Sequence, residues 1–386
     1  MQKKPGLLIL SCLLLLIFGY SALLIYGPSN DFIYWKLAII AKEYGHWLSL
    51  MAFSFVVILI KKNLPEKKFF IPLYLILGAS FLYPLTAAFY LEASYIRELQ
   101  NISRDKKGPE INLIDFKGLL IGFSFQETTH QKMEFVRYDE TGVSLDFYPP
   151  KDSGKPAPWI LIVHAGGWDS GSSDQLTFFN SLLADRGYGV VAINYRLAPR
   201  FTWPAQHEDV QAAVSFIRKN AEKFKLNPER WVIMGRSAGG QIAGVTAYIQ
   251  EDRAPLGFIS LYAPMDLVYS WNHSRRGDIL EPLDLLKNFL GGTLVEKRES
   301  FEGASPLRLA KKDSPPTLIL HGQMDTLVYP QHSKRLKAKL NELGVPAAHL
   351  NFPWATHGFD FALRGPGGMI ATRSILFFLS QVLAEK

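Results

Sequence analysis

Apolar residues run without a charge over 6–26, return over 37–60 and fill 69–91, whereas beyond residue 131 they come in short bursts between amphipathic stretches. A helix crosses the hydrocarbon core of a bilayer with about 20 apolar residues. The pattern therefore predicts three membrane-spanning helices within residues 1–92. Lys3 and Lys4 before the first run raise a cleavable signal peptide as the competing reading, but the run is longer than a signal-peptide core. It also continues well past Cys12, which argues against a lipoprotein anchor there. Lys42 and Glu43 weaken the start of the second span and read as side chains snorkelling toward its edge. Residues 93–130 read as a linker. Its first part alternates charged and polar residues up to 104–109, and 111–125 is apolar and aromatic, expected to cover the domain that follows rather than lie on a surface.

The alternation changes character in residues 131–386. A hairpin is predicted from 134–138 and 143–148 around Thr141-Gly142. Short β-rich runs follow at 159–163, 189–194, 231–234, 258–262, 317–320 and 347–352, with helical periodicity at 176–186, 207–219, 241–250, 331–343 and 369–384. Strand and helix in alternation predict an α/β fold, a mostly parallel sheet covered on both faces, with chemistry on loops at the carboxyl ends of the strands. Residues 266–313 form a long insertion whose Trp271, Leu280, Leu283, Leu285, Leu286, Phe289 and Leu290 fall at helix-like intervals. Some suit core packing and the rest suit a lid or wall over an apolar pocket.

Charge sharpens this division. The chain carries +7, of which +5 falls in residues 1–110, so the globular part is nearly neutral and has no basic stripe. Nucleic acid is not an expected partner. Lys61, Lys62, Lys67 and Lys68 crowd the loop between spans two and three. By the positive-inside rule that loop is cytoplasmic, and an odd number of spans puts everything after the third on the far side. The single cysteine, Cys12, excludes an intramolecular disulfide and any multi-cysteine metal site.

The chemistry starts at Gly235-Arg236-Ser237-Ala238-Gly239, which lies between a buried strand and a small-residue helix. That context makes Ser237 a candidate nucleophile on a strand-to-helix turn. A serine hydroxyl needs a base oriented by a carboxylate. Asp325 follows one late strand and His357 the next, in the order Ser, Asp, His of an α/β-hydrolase arrangement. Asp266 also follows a strand, but that order favours Asp325. The loop His164-Ala165-Gly166-Gly167-Trp168 follows the 159–163 strand, and the amides of Gly166, Gly167 and Ala238 are the expected donors to an oxyanion. Asp209 is expected to orient a helix, Tyr195-Arg196 to anchor a loop, and Arg236 to play a structural part.

These motifs, together with Asn194-Tyr-Arg-Leu-Ala-Pro199 and His357-Gly-Phe359 in the same order along most of 133–386, resemble the α/β-hydrolase esterases of the hormone-sensitive-lipase and acyl-ester-hydrolase type. The resemblance implies a carboxylic-ester hydrolase with no metal or organic cofactor, a catalytic Ser237, Asp325 and His357, and Trp168 at the substrate. Isoprenylcysteine methylesterases and arylformamidases share the Gly-Gly-Trp loop, so the leaving group is an alcohol or an amine. Ala165 stands where many relatives carry glycine, while Gly166 and Gly167 are kept. The expected partners are a small-molecule or lipidic ester and the bilayer. Two other functions use the same residues: an extracytoplasmic acyltransferase, in which an acceptor other than water takes the acyl group, and a noncatalytic ligand-binding membrane protein. The full set of Ser237, Asp325 and His357 argues against the last.

Overall fold

The first apolar run forms a single helix, α1 (Pro5–Tyr26). A computed structural model describes residues 5–27, 31–62, 66–103, 111–151, 154–249 and 254–384. Lys3, Lys4 and the charged stretch 104–109 lie outside the described residues. The second run is two helices rather than one. Asp31 accepts a bond from the Tyr34 amide and caps α2 (Phe32–Glu43), Tyr44 ends it, and α3 (Gly45–Lys62) begins at once. The break has a physical reason in Lys42 and Glu43, which are buried. A straight helix would carry both charges toward hydrocarbon, whereas α2 turns them against the globular half, where polar groups meet them. They do not snorkel.

The third run forms α4 (Lys67–Phe81) and α5 (Tyr83–Gln100), joined at Leu82 with Pro84 in the first turn of α5. Together they span 34 residues, about 51 Å at the helical rise, well beyond the roughly 30 Å of a hydrocarbon core. The excess is used for docking. Past the expected boundary at residue 92, Tyr95 donates its hydroxyl to the Asn351 carbonyl at 2.8 Å and Leu99 is buried. By length and composition, 6–26, 45–62 and 67–100 are the three described helical segments able to cross a membrane. Next comes α6 (Phe116–Ile121), which is two-faced: Leu119 is buried with Leu113 and Ile114, while Phe116, Leu120 and Ile121 point outward.

The globular half follows its predicted rhythm. In order come β1 (Gln131–Tyr138), β2 (Thr141–Tyr148), β3 (Ala157–Val163), α7 (Thr177–Asp185), β4 (Gly189–Ile193), α8 (Ala205–Lys219), β5 (Leu226–Arg236), α9 (Ala238–Ile249) and β6 (Phe258–Leu261). The insertion folds as α10 (Leu267–His273), α11 (Pro282–Leu290), α12 (Arg298–Gly303) and α13 (Pro306–Leu309). Then come β7 (Thr317–Gly322), α14 (Gln331–Glu342), β8 (Ala347–Phe352), a 3-10 turn at Phe359–Phe361 and α15 (Pro366–Val382). The eight strands lie in the order β1-β2-β4-β3-β5-β6-β7-β8; β1 and β2 are antiparallel and the remaining six are parallel to one another. The hairpin turns at Asp139-Glu140 instead of Thr141-Gly142, with Asp139 itself at φ +48°.

Alternation along the strands sends their side chains into two cores. Trp159, Leu161 and Val163 face the core closed by α8, α9, α11 and α14; Ile160 and Ile162 face the one closed by α7 and α15. Ala88, Tyr95 and Leu99 of α5 belong to that second core. The helix that emerges from the apolar region is thus part of the domain it carries.

Candidate active site

Ser237 sits between the last residue of β5 and the first of α9 at φ +51°, a left-handed conformation rarely held by a residue with a side chain. The turn is that tight because β5 must pass directly into a helix lying against β3. A Cβ on Gly239 would come within 2.2 Å of the His164 carbonyl oxygen and 2.4 Å of that of Val163, so only glycine permits the approach. The Ser237 amide is held by the Leu261 carbonyl at 2.9 Å. Its hydroxyl donates to Nε2 of His357 at 2.9 Å, and Nδ1 of His357 donates to Oδ2 of Asp325 at 2.7 Å. The structure brings the three together from loops 88 and 32 residues apart, following β5, β7 and β8.

Asp325 is buried, with four nitrogens around it. Besides His357, Nε2 of His321 lies 3.2 Å from Oδ2, and the amides of Leu327 and Val328 donate to Oδ1 at 2.9 Å each. Burial alone would raise this carboxyl, but the neighbouring His357 and the bonds from His321 and His357 outweigh it and hold the group well below the usual carboxylate range. The carboxylate stays ionised and fixes the imidazole with Nε2 free to accept a proton from Ser237.

The loop expected to hold an oxyanion follows β3. Gly166 has φ +140°, and a Cβ there would meet the Ser170 oxygen at 2.0 Å; Gly167 has φ +60°. The Gly240 and Gln241 amides bond the Ser237 carbonyl, which leaves the Ala238 amide among the first-turn donors that no helical carbonyl serves. Gly167, Trp168, Ser237 and Ala238 line one pocket, and Gly166 precedes Gly167 in the same loop. Trp168 lines the pocket and is fixed there: its ring stacks on Phe289 at 4.6 Å and its indole donates to Gln241 at 2.9 Å. The rest of the lining is mainly apolar, with Leu280, Leu285 and Leu286 of the insertion beside Leu327 and Val328, but it also carries Ser270, Ser274, Tyr329 and His332. Among the described residues no cluster of three or more His, Cys, Asp or Glu side chains is arranged to hold a metal.

Other residues fall into place. Asp266 caps α10 and pairs with Arg335 at 2.9 Å, away from His357. Asp209 binds Arg196 through its side chain at 2.9 Å and its amide at 2.7 Å. Arg236 is buried and pairs through Nε with Asp360 at 2.6 Å. Asp360 also accepts from the Tyr262 hydroxyl at 2.5 Å, and the Tyr262 ring lies 4.5 Å from that of His357. Nothing in the sequence signals Tyr262 or Asp360, and His332, which lines the pocket, lacks a motif context there. The motif likewise assigns no part to His321, although its spacing of four from Asp325 is visible there.

The buried histidines make stability sensitive to acid. Burial pushes His164 down to about 4, against the bond its Nδ1 donates to the Ala165 carbonyl. It pushes His332 and His349 down to about 3, with neighbouring His321 adding to the effect. Each stays neutral in the folded chain but takes up a proton near 6.5 when unfolded. Between those values the unfolded chain binds more protons, so stability falls as pH drops below about 6.5 and levels off only near pH 3–4. Each histidine contributes up to about 1.4 kcal/mol per pH unit in that window. Thermal unfolding in detergent from pH 7 to 4 should show a steep fall in Tm; a flat profile would contradict it.

Comparison with known proteins agrees with this geometry. The BD-FAE family model matches residues 145–340. Esterase LipC of Mycobacterium tuberculosis is 29% identical over 263 residues, 63% of this chain and 63% of that protein. Esterase LipQ of the same organism is 30% identical over 234 residues, 58% and 55% of the two. The chain thus spans less than two thirds of the length of these curated relatives. Among solved structures, one titled bacterial heroin esterase superposes with a TM-score of 0.60 at 21% identity, covering 75% of this chain and 98% of that one. That likeness is one of fold, the α/β-hydrolase fold.

Proposed function

The chain belongs to the BD-FAE family, and on that premise we propose that it is a membrane-anchored serine carboxylic-ester hydrolase. The observation that carries the reading is the unbroken line from the Ser237 hydroxyl through His357 to Asp325, opening on an apolar pocket. The names of its relatives, esterases, support the same reaction class.

In this mechanism Ser237 Oγ attacks the ester carbonyl carbon while His357 Nε2 takes its proton. The carbonyl electrons move onto oxygen, met by the amides of Gly167, Ala238 and Gly166. Collapse expels the alcohol, which takes the proton from His357, and leaves an ester on Ser237. Water, deprotonated by the same imidazole, then releases the acid. The leucine wall suits an apolar acyl group, and Asp325 remains ionised throughout.

We assign residues 1–92 to the anchor and 131–386 to the hydrolase, on the extracytoplasmic side. The lysines at the end of α3 and the start of α4 support that orientation, and α2 supports the odd number of spans. It follows the first span, the hydrolase follows the third, and the two touch through Trp35 and Glu43. That contact requires the same side, as an odd number of spans demands. The outward Phe116, Leu120 and Ile121 of α6 and Ile33, Leu37 and Ile40 of α2 suit a domain resting on lipid.

An activity-based fluorophosphonate probe tests both parts. Applied to intact and permeabilised cells, a membrane-impermeant probe should label Ser237 equally in both. No labelling in either would remove the serine mechanism; labelling only after permeabilisation would reverse the orientation.

A further inference from the structure

One face of α2 touches both loops that carry the proposed base and acid. Trp35, one turn from the Asp31 cap, donates its indole Nε1–H to the backbone carbonyl of His357 at 2.9 Å. Lys42 donates to the Ile25 carbonyl at 2.7 Å in the last turn of α1, and its Nζ lies 3.0 Å from Sδ of Met324, the neighbour of Asp325. Glu43 is fully buried. It accepts from the Trp354 indole at 3.1 Å and from the Gly367 and Gly368 amides at 2.8 and 3.3 Å. Its carboxyl group thus meets two orphan amides at the amino end of α15 and also holds the loop that leads to His357. A Cβ at position 367 would lie 2.6 Å from Oε1, so the glycine there leaves room for this acid. Trp35, Lys42 and Glu43 fall at i, i+7 and i+8, one helical stripe, and Ile33, Leu37 and Ile40 lie exposed on the other side.

We propose that α2 is a clamp on the active site, with Trp35, Lys42 and Glu43 as positioning residues that hold the His357 and Asp325 loops at bonding distance. The anchor is then a component of the site, not only its tether. This inference rests on the serine-hydrolase reading. The physical argument is one of tolerance: a base must be held within about half an ångström of its working position. The His357 peptide carbonyl is bonded from α2, so releasing it frees the peptide that orients the imidazole.

The test uses the full chain in nanodiscs, with W35F and E43Q. W35F keeps an aromatic ring and removes the donor together with part of the indole; E43Q keeps an acceptor and replaces the acid by an amide. Expected for W35F is a fall in kcat of about three- to tenfold with KM within about twofold, and a displaced acidic limb in the pH profile of kcat/KM. Hydrogen exchange should quicken in both variants in peptides covering 323–328 and 353–359, and stay unchanged in β3. A purely structural role would lower Tm but leave the acidic limb in place, and would overturn the proposal. So would wild-type kcat and exchange in both variants. If the wild-type chain shows no Ser237-dependent turnover, the hydrolase reading fails by itself, and the exchange measurement still decides whether α2 holds the two loops.

Discussion

Ser237→Ala is expected to lower kcat for ester hydrolysis by about 10⁴–10⁶-fold, since groups that act as a catalytic unit lose nearly all of their joint effect when one is removed. Alanine keeps the Cβ and the amide bonded to Leu261, so the turn, the pocket and the fold should persist, with stability changed by no more than about 0.5 kcal/mol. What disappears is the one oxygen within reach of His357 Nε2. Steady-state assays of purified full-length protein with short acyl esters check this, with unchanged Tm as the control. A variant that retained a tenth of the wild-type turnover would eliminate the acyl-enzyme mechanism.

Asp360→Ala should cost about 3–5 kcal/mol of stability, because it strands the buried Arg236 cation. Arg236 is 1% exposed and already has one guanidinium nitrogen, Nη2, without a hydrogen-bond partner. Losing Asp360 also deprives the Tyr262 hydroxyl of its acceptor and so loosens the ring tilted against that of His357. Activity should therefore fall alongside Tm. The informative companion is Arg236→Met combined with Asp360→Leu. Removing both charges together leaves no unpaired ion, so the double variant should recover most of the lost stability. Denaturant or thermal unfolding of the three proteins decides. A single variant as stable as wild type would mean that Arg236 finds another partner or water.

What could be read in the sequence was whatever is local. Each parallel strand is a short apolar run, and Ser237, Asp325 and His357 each stand just beyond one, so their meeting followed from the fold class. The bonds that went unread join residues far apart. Lys42 and Glu43 look in one dimension like charges at the margin of a span, because the partners that make them interior, Met324 and Trp354, come 282 and 311 residues later. The break at Tyr44 was hidden for the same reason. Arg236 faced a similar difficulty, with its carboxylate 124 residues away. The shifted hairpin is different: Thr141-Gly142 is the better turn by composition, but Asp139 accepts a positive φ and frees both residues for β2.

The Trp35–His357 bond spans 322 residues. At about 5–20 residues per second of synthesis, α2 is made roughly 15–60 s before the histidine it grips. Until then the unit that will become a hydrolase has a hydroxyl without a base. Completion of the proposed site consequently waits for the residues around 357 and for their contact with α2. On that reading a chain stalled before residue 357 lacks its base and is expected to be inert toward esters.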